Sequence, residues 1–160
     1  MKIHLQRAVF AVFCLALLAG SPAFAGAAEF ESLSFEKLEK LVADNKGKIV
    51  MINFFATWCP PCKEEIPSLI SIRKDIGEDR LILIGASVDE DKDELRKFVA
   101  KSRLNYPVQL AGEDLVQAAG VSGIPHMLVF DGDGDVIANA PGLVSEEDLR
   151  GFLKKHMGKK

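Results

Sequence analysis

The stretch Ile49-Val50-Met51-Ile52-Asn53-Phe54-Phe55-Ala56 constrains the fold of this chain more than any other. Its β-branched and aromatic residues run on without polar alternation, and only Asn53 interrupts them. A strand of that kind is buried on both faces, so it belongs inside a sheet with helices packed on either side. Trp58-Cys59-Pro60-Pro61-Cys62 follows, and helical periodicity then resumes at Ile66, Leu69, Ile70 and Arg73. Two cysteines separated by two residues therefore stand where a central strand hands over to a helix.

The other elements agree with a layered arrangement. Ser34 caps a helix that places Phe35, Leu38, Leu41 and Val42 on one face and ends near residues 45–47. Residues 81–86 form a second buried strand, and 91–102 a second amphipathic helix with Leu95, Phe98 and Val99 inward. Strand, helix, strand implies a right-handed parallel crossover. Pro67 is expected to kink the helix after the cysteines near its start. Residues 106–110 read as a short extension and 113–120 as a short helix. Residues 127–130 and 135–140 form a hairpin around Asp131-Gly132-Asp133-Gly134, and Ser145 opens a final helix through Leu149, Phe152 and Leu153. A calcium loop starting at Asp131 would need Gly sixth and Glu twelfth, and the chain has Val136 and Gly142 there. The expected fold class is α/β, in three α/β/α layers around a mixed central sheet.

The start of the chain has a different character. Lys2 and Arg7 precede a 13-residue apolar run over 8–20, and Ala23-Phe24-Ala25 places small residues two apart before Gly26. That is the layout of a secretory signal peptide over 1–25, and the run is short against the about 20 apolar residues of a membrane span. Residues 26–160 are then one domain of an exported, periplasmic protein, membrane-anchored if the signal is retained. The whole chain carries −3, and loss of Lys2 and Arg7 takes it to −5, which argues against nucleic acid or an anionic membrane surface as the main partner. Of the three cysteines, Cys14 leaves with the signal, and Phe13 before it speaks against a lipid-anchor site.

Cys59 and Cys62 remain, and a disulfide closing so small a loop constrains the unfolded chain little, so the pair reads as reactive rather than structural. At i and i+3 across the first turn of a helix, two side chains share a face, and both dithiol and disulfide are accessible without refolding. Cys59, at the positive end of the helix dipole with free N–H groups nearby, is the expected nucleophile. Cys62, one turn in, is the expected resolving thiol. Pro60 and Pro61 suit the first turn, where their missing N–H groups have no intrahelical acceptor. A structural zinc site needs four ligands; no second Cys-x-x-Cys occurs, and His126 and His156 lack partner spacing, so no metal is expected.

Phe54-Phe55-Ala56-Thr57-Trp58-Cys59-Pro60-Pro61-Cys62-Lys63, Pro67, and Gly123-Ile124-Pro125 together resemble the thioredoxin superfamily. The Ala-Thr-Trp-Cys-Pro-Pro-Cys wording is similar to its exported TlpA/ResA-like branch of thiol:disulfide oxidoreductases, which includes those of cytochrome c maturation. The resemblance spans about residue 34 to the end. It implies a cis Pro125 facing the cysteines, an Ile124 backbone that pairs with an extended substrate, and Trp58 in an exposed docking surface beside the reactive sulfur. It implies no cofactor beyond the redox-active disulfide, a disulfide-containing protein substrate, a membrane-embedded electron donor, and a monomer. Asn53 stands where the best-known thioredoxins carry a buried Asp. Glu90, near the end of the next strand, is the acid/base candidate in its place, with burial expected to raise its carboxyl. His126 follows the proline where Thr is common in the family.

These residues lead to a thiol:disulfide oxidoreductase that reduces protein disulfides. An oxidase or isomerase is the alternative within the same chemistry. A copper chaperone using Cys59 and Cys62, with His126 or Met127, is the alternative from another class, because soft thiolates suit Cu(I). A peroxidase is weaker, since peroxiredoxin-like sites carry Thr where this chain has Ala56.

Overall fold

The computed structural model describes residues 30–157. The expected signal peptide, 1–25, lies outside them. Among the described residues no helix is long and apolar enough to cross a membrane.

Six strands form one sheet: β1 (Ser32–Leu33), β2 (Ile49–Phe55), β3 (Leu81–Ser87), β4 (Val108–Ala111), β5 (His126–Phe130) and β6 (Val136–Pro141). Their spatial order is β1-β4-β3-β2-β5-β6. The first four in that order are mutually parallel, whereas β5 runs antiparallel to β2, and β6 to β5. The sheet is thus mixed, and β2 lies inside it with all seven residues buried. The edge strand β1 was not foreseen; two residues carry no periodicity, and only pairing with β4 defines them.

Alternation along β2 sorts the core. Val50, Ile52 and Phe54 pack with Leu38 of α1 (Phe35–Asp44) and Leu115 of α4 (Glu113–Ala118). Ile49 and Met51 face the other way, against Leu69 and Ile72 of α2 (Pro60–Ile76) and Leu149 and Leu153 of α5 (Glu146–Met157). Phe55 continues that second face onto Leu95 and Phe98 of α3 (Lys92–Ser102). Helices on both faces of one sheet make the three layers.

Local chemistry explains the boundaries. Ser34 Oγ accepts the Lys37 N–H at 3.2 Å to start α1, and the Asp91 carboxylate accepts from Asp93 and Glu94 to start α3. α2 runs as one helix with Pro67 inside it. The acidic hairpin turn is organised by Asp131, whose Oδ1 accepts the N–H groups of Asp133, Gly134 and Asp135 at 3.0–3.1 Å. Gly134 turns there at φ +94°, a conformation that costs a side-chain-bearing residue steric strain.

Candidate active site

Cys59 is the N-cap of α2, and its Sγ lies 3.3 Å from the Cys62 N–H, so the sulfur occupies the place an oxygen fills in an ordinary cap. Pro60 and Pro61 follow in the first turn. The two sulfurs are joined in a disulfide, and both residues are buried. Ala56 is fully buried just before them, and its carbonyl accepts the Cys59 N–H at 3.2 Å. The oxidised pair therefore closes the first turn of a helix whose positive end points at Cys59.

One turn along α2 from Cys62 lies a buried carboxylate that reading the sequence missed. Glu65, only 2 % exposed, sits on α2 one turn after Cys62 and accepts the Asn53 side-chain N–H at 2.6 Å. Residues i and i+3 share a helix face, which brings the carboxyl to the Cys62 side of α2. Burial pushes this carboxyl up from its ordinary value, while the Val144 N–H and the Asn53 amide offset part of the rise. Its charge adds to burial in pushing up the phenol of the neighbouring Tyr106. Gly85, opposite Asn53 in the sheet, makes room for that wall: a Cβ there would come within 3.1 Å of a Phe55 ring carbon and 3.3 Å of one from Tyr106. Two sequence signals point to Glu65 when combined. Asn53 is the polar break in a buried strand, and Glu65 is an acid in the inward stripe of Cys62, Ile66, Leu69 and Ile72.

Glu90 differs from its expected setting. It is exposed in the loop after β3 rather than buried. Along with Thr57, Trp58, Lys63 and Lys97 it lines a surface groove of about 630 Å³. Trp58 is 66 % exposed there. The buried acid of that loop is its neighbour Asp89, whose carboxylate accepts Thr57 Oγ1 at 2.6 Å, the Thr57 N–H at 3.0 Å and Ser87 Oγ at 2.7 Å. These bonds tie the turn before Cys59 to the end of β3.

On the remaining side, the Ile124–Pro125 peptide bond is cis, and the Ile124 carbonyl oxygen lies 3.8 Å from Cys59 Sγ. Strand alternation sends His126 and Met127 to opposite faces. His126 pairs with Phe54 and packs its ring edge-on against it, on the α1/α4 face, whereas Met127 is buried with Met51 and Leu69 under α2. The His126 ring is engaged by Phe54 and Asn139 on that face. Among the described residues no group of three or more His, Cys, Asp or Glu is placed to hold a metal.

A strand-to-helix dithiol pair faced by a cis-proline loop, on a mixed sheet with helices on both faces, defines a thioredoxin-fold redox protein. Comparison with known proteins agrees. The AhpC/TSA family matches residues 25–139. The thiol-disulfide oxidoreductase ResA of Bacillus thuringiensis (strain Al Hakam) is 33 % identical over 124 residues, 77 % of this chain and 70 % of that protein. A thiol:disulfide interchange protein of the thioredoxin family from Chlorobium tepidum superposes with a TM-score of 0.67 at 33 % identity, covering 72 % of this chain and 84 % of that one. A secreted Mycobacterium tuberculosis disulfide oxidoreductase homologous to E. coli DsbE does so at 0.60 and 26 % identity, over 71 % and 85 %. The chain belongs to the AhpC/TSA family of thioredoxin-like proteins, on its ResA-like side. It is a thiol:disulfide oxidoreductase.

Proposed function

We propose that the enzyme is an exported, periplasmic reductant of protein disulfides, with Cys59 as nucleophile, Cys62 as resolving thiol and Glu65 as the proton acceptor for Cys62. The observation that carries this reading is the buried Asn53–Glu65 pair one turn below Cys62. A carboxyl raised by burial lies closer in affinity to a thiol, so a proton passes to it at a smaller uphill cost than to an ordinary exposed acid.

The reaction balances in two exchanges. The Cys59 thiolate attacks one sulfur of the substrate disulfide; a Cys59–substrate bond forms, and the other substrate sulfur leaves as a thiolate that takes a proton from water. The Cys62 thiol then gives its proton to the Glu65 carboxylate and attacks the Cys59 sulfur. The Cys59–Cys62 disulfide forms, the second substrate sulfur leaves as a thiolate that takes a proton from water, and Glu65 returns its proton to solvent. Two electrons have passed to the substrate, and a membrane-embedded dithiol donor returns them. The Cys62 N–H at the head of α2 supports the attacking thiolate. Trp58 and the Ile124–Pro125 edge receive the substrate, which binds as an extended segment. The protein works as a monomer without a further cofactor. Kinship with ResA, and with a secreted DsbE homologue, supports the exported setting, and apo-cytochrome c during haem attachment is the substrate in view.

Trapping tests the mechanism. Cys62→Ala leaves the Cys59 mixed disulfide unresolved, so covalent complexes with exported proteins should accumulate and disappear in the Cys59→Ala control; identical behaviour of the two variants would sink the exchange scheme. Direction is tested separately. Potentials in this chemistry run from about −270 to about −120 mV, and a value at the oxidising end would replace the reductant by an oxidase or isomerase.

A further inference from the structure

We propose that His126 is a positioning residue which, through Asn139, braces the loop presenting Ile124 to Cys59. The loop leaves α4 at Ala119, its C-cap, and re-enters the sheet at His126, the first residue of β5. A side-chain relay joins those two ends. Asn139 Nδ2 donates to the Ala119 carbonyl at 3.0 Å, and Asn139 Oδ1 meets His126 Nε2 at 2.5 Å. A carbonyl only accepts, which fixes the Asn139 amide nitrogen toward Ala119 and its oxygen toward His126. His126 therefore carries its proton on Nε2 and donates it.

Between the braced ends runs the segment that touches the redox pair, with the Ile124 oxygen 3.8 Å from Cys59 Sγ. Beyond the relay, this loop is held at its start by the Gly120 and Val121 N–H groups, and at its end by the Gly142 N–H bonding to the Pro125 carbonyl. A second observation argues that His126 is not there for packing alone. Its residue is 3 % exposed, and its Nδ1 has no hydrogen-bond partner among the described residues. A buried unpaired nitrogen lowers stability, and Leu at this position would not carry it. Residues that break a packing rule in this way are expected where function needs them. The brace keeps the Ile124 edge in register for a protein strand, whereas a small disulfide needs only the sulfur. The proposal rests on the reading that this edge receives the substrate.

The experiment compares His126→Leu, Asn139→Ala and His126→Gln in the reduced enzyme, with insulin as protein disulfide and 5,5′-dithiobis(2-nitrobenzoate) as small disulfide. Gln places a donor where Nε2 stands; Asn139 is exposed, so its variant keeps the fold if the Leu variant does not. Leu and Ala should each lower kcat/KM on insulin about ten-fold and leave the small disulfide within about two-fold, with thermal stability of the Leu variant unchanged or raised; Gln should stay within about two-fold on both. Equal losses on the two substrates, or a Gln variant as weak as Leu, would overturn the proposal. Hydrogen exchange at the Gly120, Val121 and Gly142 amides should rise at least about five-fold in the Leu and Ala variants and not in Gln. Unchanged exchange refutes the brace whatever the activity. Raised exchange in an enzyme whose wild type does not reduce insulin would refute the reductase reading alone.

Discussion

Glu65 and Asp89 are both buried acids beside the same cysteine helix, 2 % and 8 % exposed, yet they are held in opposite ways. Asp89 takes three short bonds, from both donors of Thr57 and from Ser87, so its oxygens are committed to the geometry of the turn before Cys59. Glu65 takes one short bond from Asn53, and its second oxygen meets only the Val144 N–H at 3.4 Å. Burial alone does not separate an anchor from a proton carrier. The number of donors aimed at the charged form does, because each one favours the ion, whereas desolvation opposes it. Glu90, one residue from Asp89, stands exposed to solvent.

The largest expected effect breaks the comparison at Glu65. Glu65→Gln keeps the partner for Asn53 but removes the ionisable group, and it should slow resolution of the Cys59 mixed disulfide by about 10²-fold, about 2.7 kcal/mol of barrier. Stopped-flow decay of the mixed disulfide measures this, and a loss under three-fold would return Glu65 to a purely structural role. Asp89→Ala comes next. It strands the Thr57 and Ser87 donors and should cost about 2 kcal/mol of stability in urea unfolding, with Asp89→Asn intermediate. If Asp89→Ala instead slowed resolution as much as Glu65→Gln without loss of stability, the two roles would have to be exchanged.

A smaller effect sharpens the contrast through pH. The folded carboxyl of Glu65 is raised above its ordinary 4.5, so the folded state binds more protons than the unfolded one from about that pH upward. Its contribution to stability is fully present below that pH and is lost as pH rises through the folded value. Unfolding free energies between pH 4 and 8 should therefore decline less steeply with rising pH in Glu65→Gln than in the wild type; parallel curves would contradict the raised carboxyl. Smallest of all, Glu90→Gln should change stability by less than about 0.5 kcal/mol and the exchange rate by less than two-fold, as expected of an exposed loop residue.

Much of the site was legible before any coordinates. The apolar run over 49–56 leads straight into the cysteines, and β2 is indeed fully buried. The cap position of Cys59 follows from the two prolines after it, since their missing N–H groups suit only a first helical turn. The burial expected of Glu90 does not hold, because proximity to a strand end says nothing of depth. Asp89 points inward and is enclosed, and the next residue falls outside, a one-residue difference that the strand period does not settle once the chain has left the sheet.

The sequence by itself determined the order of the elements other than β1, the α/β class, the hairpin turn and the pairing of Cys59 with Cys62. Each of these is written in neighbouring residues, through caps, periodicity and spacing along one strand or one helix. Only the tertiary structure decided which carboxyl is buried one turn along from Cys62, what holds the turn before Cys59, and what the histidine after Pro125 bonds to. Those answers join Asn53 to Glu65, Thr57 to Asp89 and His126 to Asn139, separations of 12, 32 and 13 residues. Contacts of that span depend on how helices pack on the sheet and on the register of its strands, and no local pattern encodes either.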